Sequence, residues 1–204
     1  MTARIPLPRG FVNPGRVASP PKDAATVVLL RPAAAGFEVL LLGRTRTMDF
    51  APGAHVFPGG SVDASDADVR AAAVRETAEE CGVLLSADDL VPWARWITPE
   101  VSPRRYDTWF FVTEMPSDQQ VTVSDAESDT AEWLRPADAL DAGRSGRITL
   151  LPPTAVVLAD LAGFDSVTAV LAHRPEIRPL MPSVLADDDG SVWLEMPDGV
   201  EFPL

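Results

Sequence analysis

Residues 67–81 contain neither Gly nor Pro, in a chain that carries 20 prolines and 13 glycines. The stretch is rich in Ala, Arg and Glu, which lose little conformational freedom in a helix. Gly82 stands where a helix needs a left-handed stop. The pattern predicts a helix over 67–81 with Asp66 as N-cap. Val69, Ala73, Thr77 and Cys81 recur every fourth residue, a narrow face of small side chains suited to close packing on a sheet. The other side carries Arg75, Glu76, Glu79 and Glu80. At ~100° per residue its three acids fall within an arc of about 100°. Carboxylates that close repel one another. The face is therefore either a solvated acidic surface or a place for a cation. The Phe57-Pro58-Gly59-Gly60 turn lies just upstream, where its backbone can close over the same ground. Clustered carboxylates plus a carbonyl oxygen are hard ligands, suited to Mg²⁺ or Mn²⁺.

Charge sharpens this choice. The 204 residues hold 17 Lys+Arg and 30 Asp+Glu, a net charge of −13. Such a chain has no broad basic face for nucleic acid. Residues 1–50 nevertheless carry seven basic side chains and three acids, a local +4. A phosphate-bearing ligand would need these arginines, or a metal ion, against the surrounding negative field. The single cysteine, Cys81, excludes an intrachain disulfide. No apolar run approaches the ~20 residues that span a bilayer, and no signal core is visible at the N-terminus. These features predict a cytoplasmic protein with no membrane partner.

Residues 1–22 are broken by five prolines and predict an extended arm; residues 23–204 predict a single domain. Short apolar strands are predicted at 24–30, 37–42, 55–57, 93–97, 108–113 and 132–134. Further helices are predicted at 136–142, 153–161 and 166–173. Residues 177–185 and 192–196 flank Asp187-Asp188-Asp189-Gly190, a hairpin signal. Strands and helices mix without regular βαβ spacing, which predicts an α+β class.

Phe57-Pro58-Gly59-Gly60 followed by Arg75-Glu76-Thr77-Ala78-Glu79-Glu80-Cys81-Gly82-Val83 resembles the Nudix box, with Thr77 in place of an aliphatic residue. Gly60 is followed after five residues by Asp66 rather than Glu, and eight residues then lead to Arg75. That longer spacer, Asp63 and Asp66, and Leu40-Leu41-Leu42-Gly43-Arg44 with Gly53 resemble the coenzyme A diphosphatase branch. Asp49 and Ala51 depart from it, standing where that branch carries Arg and His. Thr98-Pro99 with Arg104-Arg105-Tyr106-Asp107-Thr108 resembles a related acyl-coenzyme A branch. The resemblance implies an α/β/α sandwich with a mixed sheet, here with C-terminal helical and hairpin additions. It implies a divalent-metal-dependent diphosphatase acting on a nucleotide-linked small molecule, coenzyme A or acyl-coenzyme A first, with ADP-ribose or a dinucleotide as the alternative. It allows a homodimer. A non-catalytic nucleotide sensor of the same fold is the rival class, against which the intact acids argue.

By the same resemblance, Glu76 and Glu80 ligate metal, Glu79 acts on metal or on the attacking water, and the Gly59 carbonyl is a further ligand. Arg75 holds a box carboxylate in place. Glu127, six residues before Trp133, is a candidate ligand or base. For substrate, Gly60 lies at the turn, Arg44 and Arg46 are either phosphate clamps or exposed strand-end cations, and Arg105 is a phosphate contact or a surface charge. His55 reads as a structural hydrogen-bonder, His173 as a cation closing a helix, Cys81 as an inert buried thiol, and the five tryptophans as core.

Overall fold

The computed structural model describes residues 4–6, 19–45, 52–102, 104–123, 128–187, 191–197 and 200–204. In chain order these form β1 (Arg4–Pro6), β2 (Lys22–Pro32), β3 (Phe37–Arg44), β4 (Ala54–Val56), β5 (Gly59–Ser61), α1 (Val69–Cys81), β6 (Val91–Ile97), β7 (Tyr106–Glu114), β8 (Ser128–Leu134), α2 (Pro136–Arg144), β9 (Thr149–Leu150), α3 (Pro152–Leu161), α4 (Val167–Ala172), β10 (Pro179–Leu180), β11 (Ser183–Ala186) and β12 (Val192–Glu195). None of these helices is long and apolar enough to cross a membrane.

The main sheet is mixed and runs β10-β6-β7-β2-β3-β4-β9, with β5 also on β2 and β8 on β3. Strand β2 is its spine. It pairs in parallel with β7 from Lys22 to Leu30. Its other edge is divided. Residues Ala24–Thr26 pair with β5, and only Leu30–Pro32 pair with β3. The β2–β3 turn closes through the Ala33 N–H to the Gly36 carbonyl, with Gly36 at φ 83°.

Both faces of the sheet are covered, so its strands read as apolar runs rather than alternating ones. The alternation survives in which core each residue joins. Ala25, Val27, Leu29, Leu40, Leu42 and Phe111 pack with Ala72, Ala73 and Cys81 of α1. Val28, Leu30, Val39, Leu41, Phe110 and Val112 pack with Ala139, Val157, Leu158 and Val170 of α2, α3 and α4. The architecture is the α/β/α sandwich with a mixed sheet. Strand β1 pairs antiparallel with β12, which pairs with β11, and Ile5, Val184 and Leu194 reach the α3-side core.

Three local expectations are corrected. Helix α1 starts at Val69, and its N-cap is Asp68, whose carboxylate accepts from the N–H groups of Arg70 and Ala71. Asp66 is engaged elsewhere. The 177–185 run divides at Met181-Pro182: Pro179–Leu180 joins β6 in the main sheet, and Ser183–Ala186 joins β12. A proline lacks the N–H to continue a ladder, so the strand changes sheet there. Of the tryptophans, only Trp93 and Trp96 are fully buried. Trp109 and Trp133 lie half-exposed beneath the guanidinium groups of Arg95 and Arg31, 5.2 and 4.3 Å from the ring centres. Trp193, also half-exposed, donates its indole N–H to Asp187.

Asp68→Ala leaves two orphan N–H groups at the start of α1. Its expected cost is about 1 kcal/mol, read as a lower urea midpoint with unchanged slope.

Candidate metal and diphosphate site

Gly59 and Gly60 form the edge strand β5 and meet α1 at van der Waals range. At Gly59 the backbone is at φ 153°, and a side chain there would strike the Ala25 carbonyl oxygen at 2.3 Å. At Gly60 it would strike the Glu76 carboxyl carbon at 2.4 Å. Only glycine at both positions lets the turn touch helix and sheet together. The Gly59 N–H donates to Glu80 Oε2 at 2.9 Å. Glu80 is 8% exposed. A carboxylate this buried requires a polar partner, and the turn supplies one.

The three helix acids are not equivalent. Glu80 is buried, the Glu76 side chain is 17% exposed against Gly60, and the Glu79 side chain is 60% exposed. Arg75 organises them. Its Nη1 donates to Glu76 Oε1 at 2.9 Å and to Glu79 Oε2 at 3.1 Å. Its Nη2 donates to Asp66 Oδ2 at 2.8 Å and to the Ser61 carbonyl at 3.0 Å, and Nε also faces the Asp66 carboxylate. One guanidinium thus bridges the loop after β5 and two acids of α1. The hydrogen bonds that Arg75 donates to Asp66, then to Glu76, raise the Arg75 pKa further above its already high value. The same bond from Arg75, with the Asp63 N–H, holds the Asp66 carboxyl below its ordinary range. Asp66 therefore anchors Arg75 rather than capping the helix. The signal for this was present: it is the acid nine positions before Arg75, on the far side of the loop.

Arg44 closes β3 beside Ser128, after a register shift at Gly43. Arg105 has a different task from the one expected. It is 9% exposed, and its guanidinium donates to the carbonyls of Thr98 and Ser19 at 3.0 and 2.9 Å, tying the loop before β7 to the segment before β2. Arg46, Glu127, Asp49 and Ala51 lie outside the described residues. His55 faces Glu132 Oε1 at 3.6 Å, and Arg147 donates to Glu132 Oε2 at 3.0 Å. Burial lowers the His55 pKa by more than Glu132 raises it. Cys81 is buried, and desolvation with the Glu80 charge pushes its thiol up to about 12. It is an inert thiol at neutral pH.

The donor set fits a hard divalent cation in chemistry: carboxylates of Glu76, Glu79 and Glu80 plus backbone oxygen at the turn. Among the described residues no three acidic, His or Cys side chains converge closely enough to hold an ion unaided. Magnesium does not require that. It binds through one or two carboxylates and completes its shell with water and substrate phosphate.

A double-glycine strand sealed against an Arg-Glu-x-x-Glu-Glu helix on a mixed sandwich defines a protein class, and comparison with known proteins agrees. The model of the NUDIX domain matches residues 20–152, and the chain belongs to the Nudix family. A nudix hydrolase structure from Alicyclobacillus acidocaldarius superposes with TM-score 0.69 at 27% identity, over 76% of this chain and 97% of that one. Nudix hydrolase 7 of Caenorhabditis elegans is 29% identical over 72% of this chain, which spans 63% of that protein's length. Human acyl-coenzyme A diphosphatase NUDT19 is 24% identical over 94% of this chain and 77% of its own length. Nudix enzymes generally use divalent metals such as Mg²⁺ or Mn²⁺.

Because the folded Asp66 pKa is depressed, its contribution to stability is full above the ordinary value near 3.8 and is lost as pH falls through the folded value. Asp66→Asn should flatten the acid limb of the stability profile. Superimposable wild-type and variant limbs would show that the Asp66–Arg75 pair carries no pH dependence.

Proposed function

We propose that this protein hydrolyses the diphosphate linkage of a nucleotide-derived small molecule in a divalent-metal-dependent reaction. The preferred substrate is coenzyme A or an acyl-coenzyme A. The products are adenosine 3′,5′-bisphosphate and phosphopantetheine or its acyl form. The observation that carries the reading is the buried Glu80, clamped by the Gly59 N–H beside Glu76 packed on Gly60. A solvated acidic face would not bury a carboxylate or fit glycines around it.

In this reading Glu76 and Glu80, with the Gly59 carbonyl and Glu127, hold the cation. When bound, Mg²⁺ or Mn²⁺ neutralises the diphosphate and acidifies a water. Arg75 fixes Glu76 and Glu79 against their mutual repulsion. Glu79, the most exposed of the three acids, accepts a proton from the attacking water. Gly60 presents backbone without bulk to the substrate, and Arg44 and Arg46 serve in this reading as phosphate clamps, for which planar guanidinium donors are suited. The net work is positioning and charge stabilisation. Arg105 drops out of the substrate contacts, because it is buried and two of its N–H groups hold backbone carbonyls. Support for the coenzyme A choice is the name of the NUDT19 relatives and the Asp63, Asp66 and Arg44 pattern around the box.

The test is turnover on a panel of coenzyme A, acyl-coenzyme A, ADP-ribose and dinucleotides with Mg²⁺ or Mn²⁺. Wild type should cleave a coenzyme A compound, and Glu80→Gln and Glu79→Gln should lose most of that turnover. Cleavage confined to ADP-ribose or dinucleotides would replace the substrate class; no cleavage with any metal would make the protein a sensor. Gly60→Ala drives a methyl into Glu76. A displacement of that size should lower kcat about 100-fold while the circular dichroism spectrum is retained.

A further inference from the structure

Strand β8 runs against β3 in an even ladder from Leu134 opposite Val39 to Thr130 opposite Gly43, and then slips by one residue. Arg44 faces Ser128, and Asp129 is passed over. An unbroken ladder would set Asp129 across from Arg44, where opposite charges pair across strands. Bulges re-aim side chains and are common beside functional sites. The rung before the slip is tight. A side chain on Gly43 would strike Thr130 Oγ1 at 2.3 Å and come within 3.4 Å of His55 Nε2, so Thr130 packs on bare backbone.

On the face that α1 covers, the rungs run Leu40–Trp133, Leu42–Ala131 and then Arg44–Ser128. The first two belong to the apolar core, and the third is polar. Ser128 is only 4% exposed, and among the described residues no group hydrogen-bonds its hydroxyl. A buried hydroxyl needs a partner. Asp129 is exposed, and among the described residues it pairs with no cation. Directly opposed residues hold their Cβ atoms about 5 Å apart, so one phosphate group can meet the hydroxyl and the guanidinium of this rung together. An acid in place of the serine would repel it.

We infer, resting on the proposed reaction and its use of Arg44 as a phosphate clamp, that Ser128 is a further substrate contact. Its hydroxyl donates to the phosphate that Arg44 holds, and the bulge at Asp129 sets the serine rather than the acid in that place.

The test is steady-state hydrolysis, with Mg²⁺ or Mn²⁺, of whichever of coenzyme A, ADP-ribose and a dinucleotide the wild type cleaves. Ser128→Ala and Ser128→Cys should each raise KM about fivefold, the loss of one hydrogen bond, with kcat close to wild type. The thiol keeps the serine's size but donates weakly. Ser128→Asp should raise KM about tenfold or more by setting a negative charge against the phosphate, whereas Asp129→Asn should leave KM unchanged. Thermal melts check that each variant is folded, and Ser128→Ala with Ser128→Cys decide the matter if Ser128→Asp is not. Wild-type KM in both would overturn the inference. So would a rise confined to Ser128→Ala, which marks space-filling alone, or a larger effect from Asp129→Asn than from Ser128→Cys. Arg44→Ala separates the two levels. A raised KM there beside unaffected Ser128 variants strikes the serine contact alone; an unchanged KM there, or no cleavage by the wild type, strikes the clamp or the reaction and the serine contact with it.

Discussion

The arrangement of the site depends on one cation. Arg75 joins Asp66 across a loop, Glu76 beside it and Glu79 one turn on. Without it, three carboxylates on one helical arc would spread, since like charges a turn apart destabilise a helix. With it, Glu76 and Glu79 are fixed before any ligand arrives, as the Gly59 N–H fixes Glu80. The guanidinium also reaches the Ser61 carbonyl, so the same side chain fixes strand β5 relative to α1. An ion pair this interconnected differs from an isolated surface pair, which contributes little.

The scaffold beneath serves that arrangement. Strand β2 is paired with β7 from Lys22 to Leu30 on one edge and divided between β5 and β3 on the other. The division lets the double-glycine strand slot in over α1 without interrupting the spine. Small residues on α1 then allow close approach: Ala72, Ala73 and Thr77 are buried where larger side chains would hold the helix off the sheet. Thr77, where an aliphatic residue is usual in the resembled box, returns its hydroxyl to the Ala73 carbonyl and so satisfies itself within the helix.

Much of this was legible in the sequence, and the misses have physical reasons. The helix, its glycine stop and the buried strands followed from local chemistry, which sequence carries directly. The N-cap did not, because Asp66 and Asp68 are chemically equal candidates and only the position of Arg75 in space decides between them. Arg105 read as a phosphate contact or a surface charge because its partners, the carbonyls of Thr98 and Ser19, are backbone oxygens that leave no trace in composition. The division of 177–185 between two sheets depended on which edges were vacant, a property of the assembled fold.

The divided edge of β2 also separates two kinds of damage. The ladder with β7 is long and independent of the glycine turn, so the body of the molecule is held by contacts that the turn does not make. Changes at Gly60 or the loop after it alter the site before they alter folding, whereas a side chain at Gly59 meets the backbone of β2 itself. Such a chain can drift in what it acts on while remaining a well-formed protein, and an inactive relative with the same shape is an accessible neighbour in sequence space.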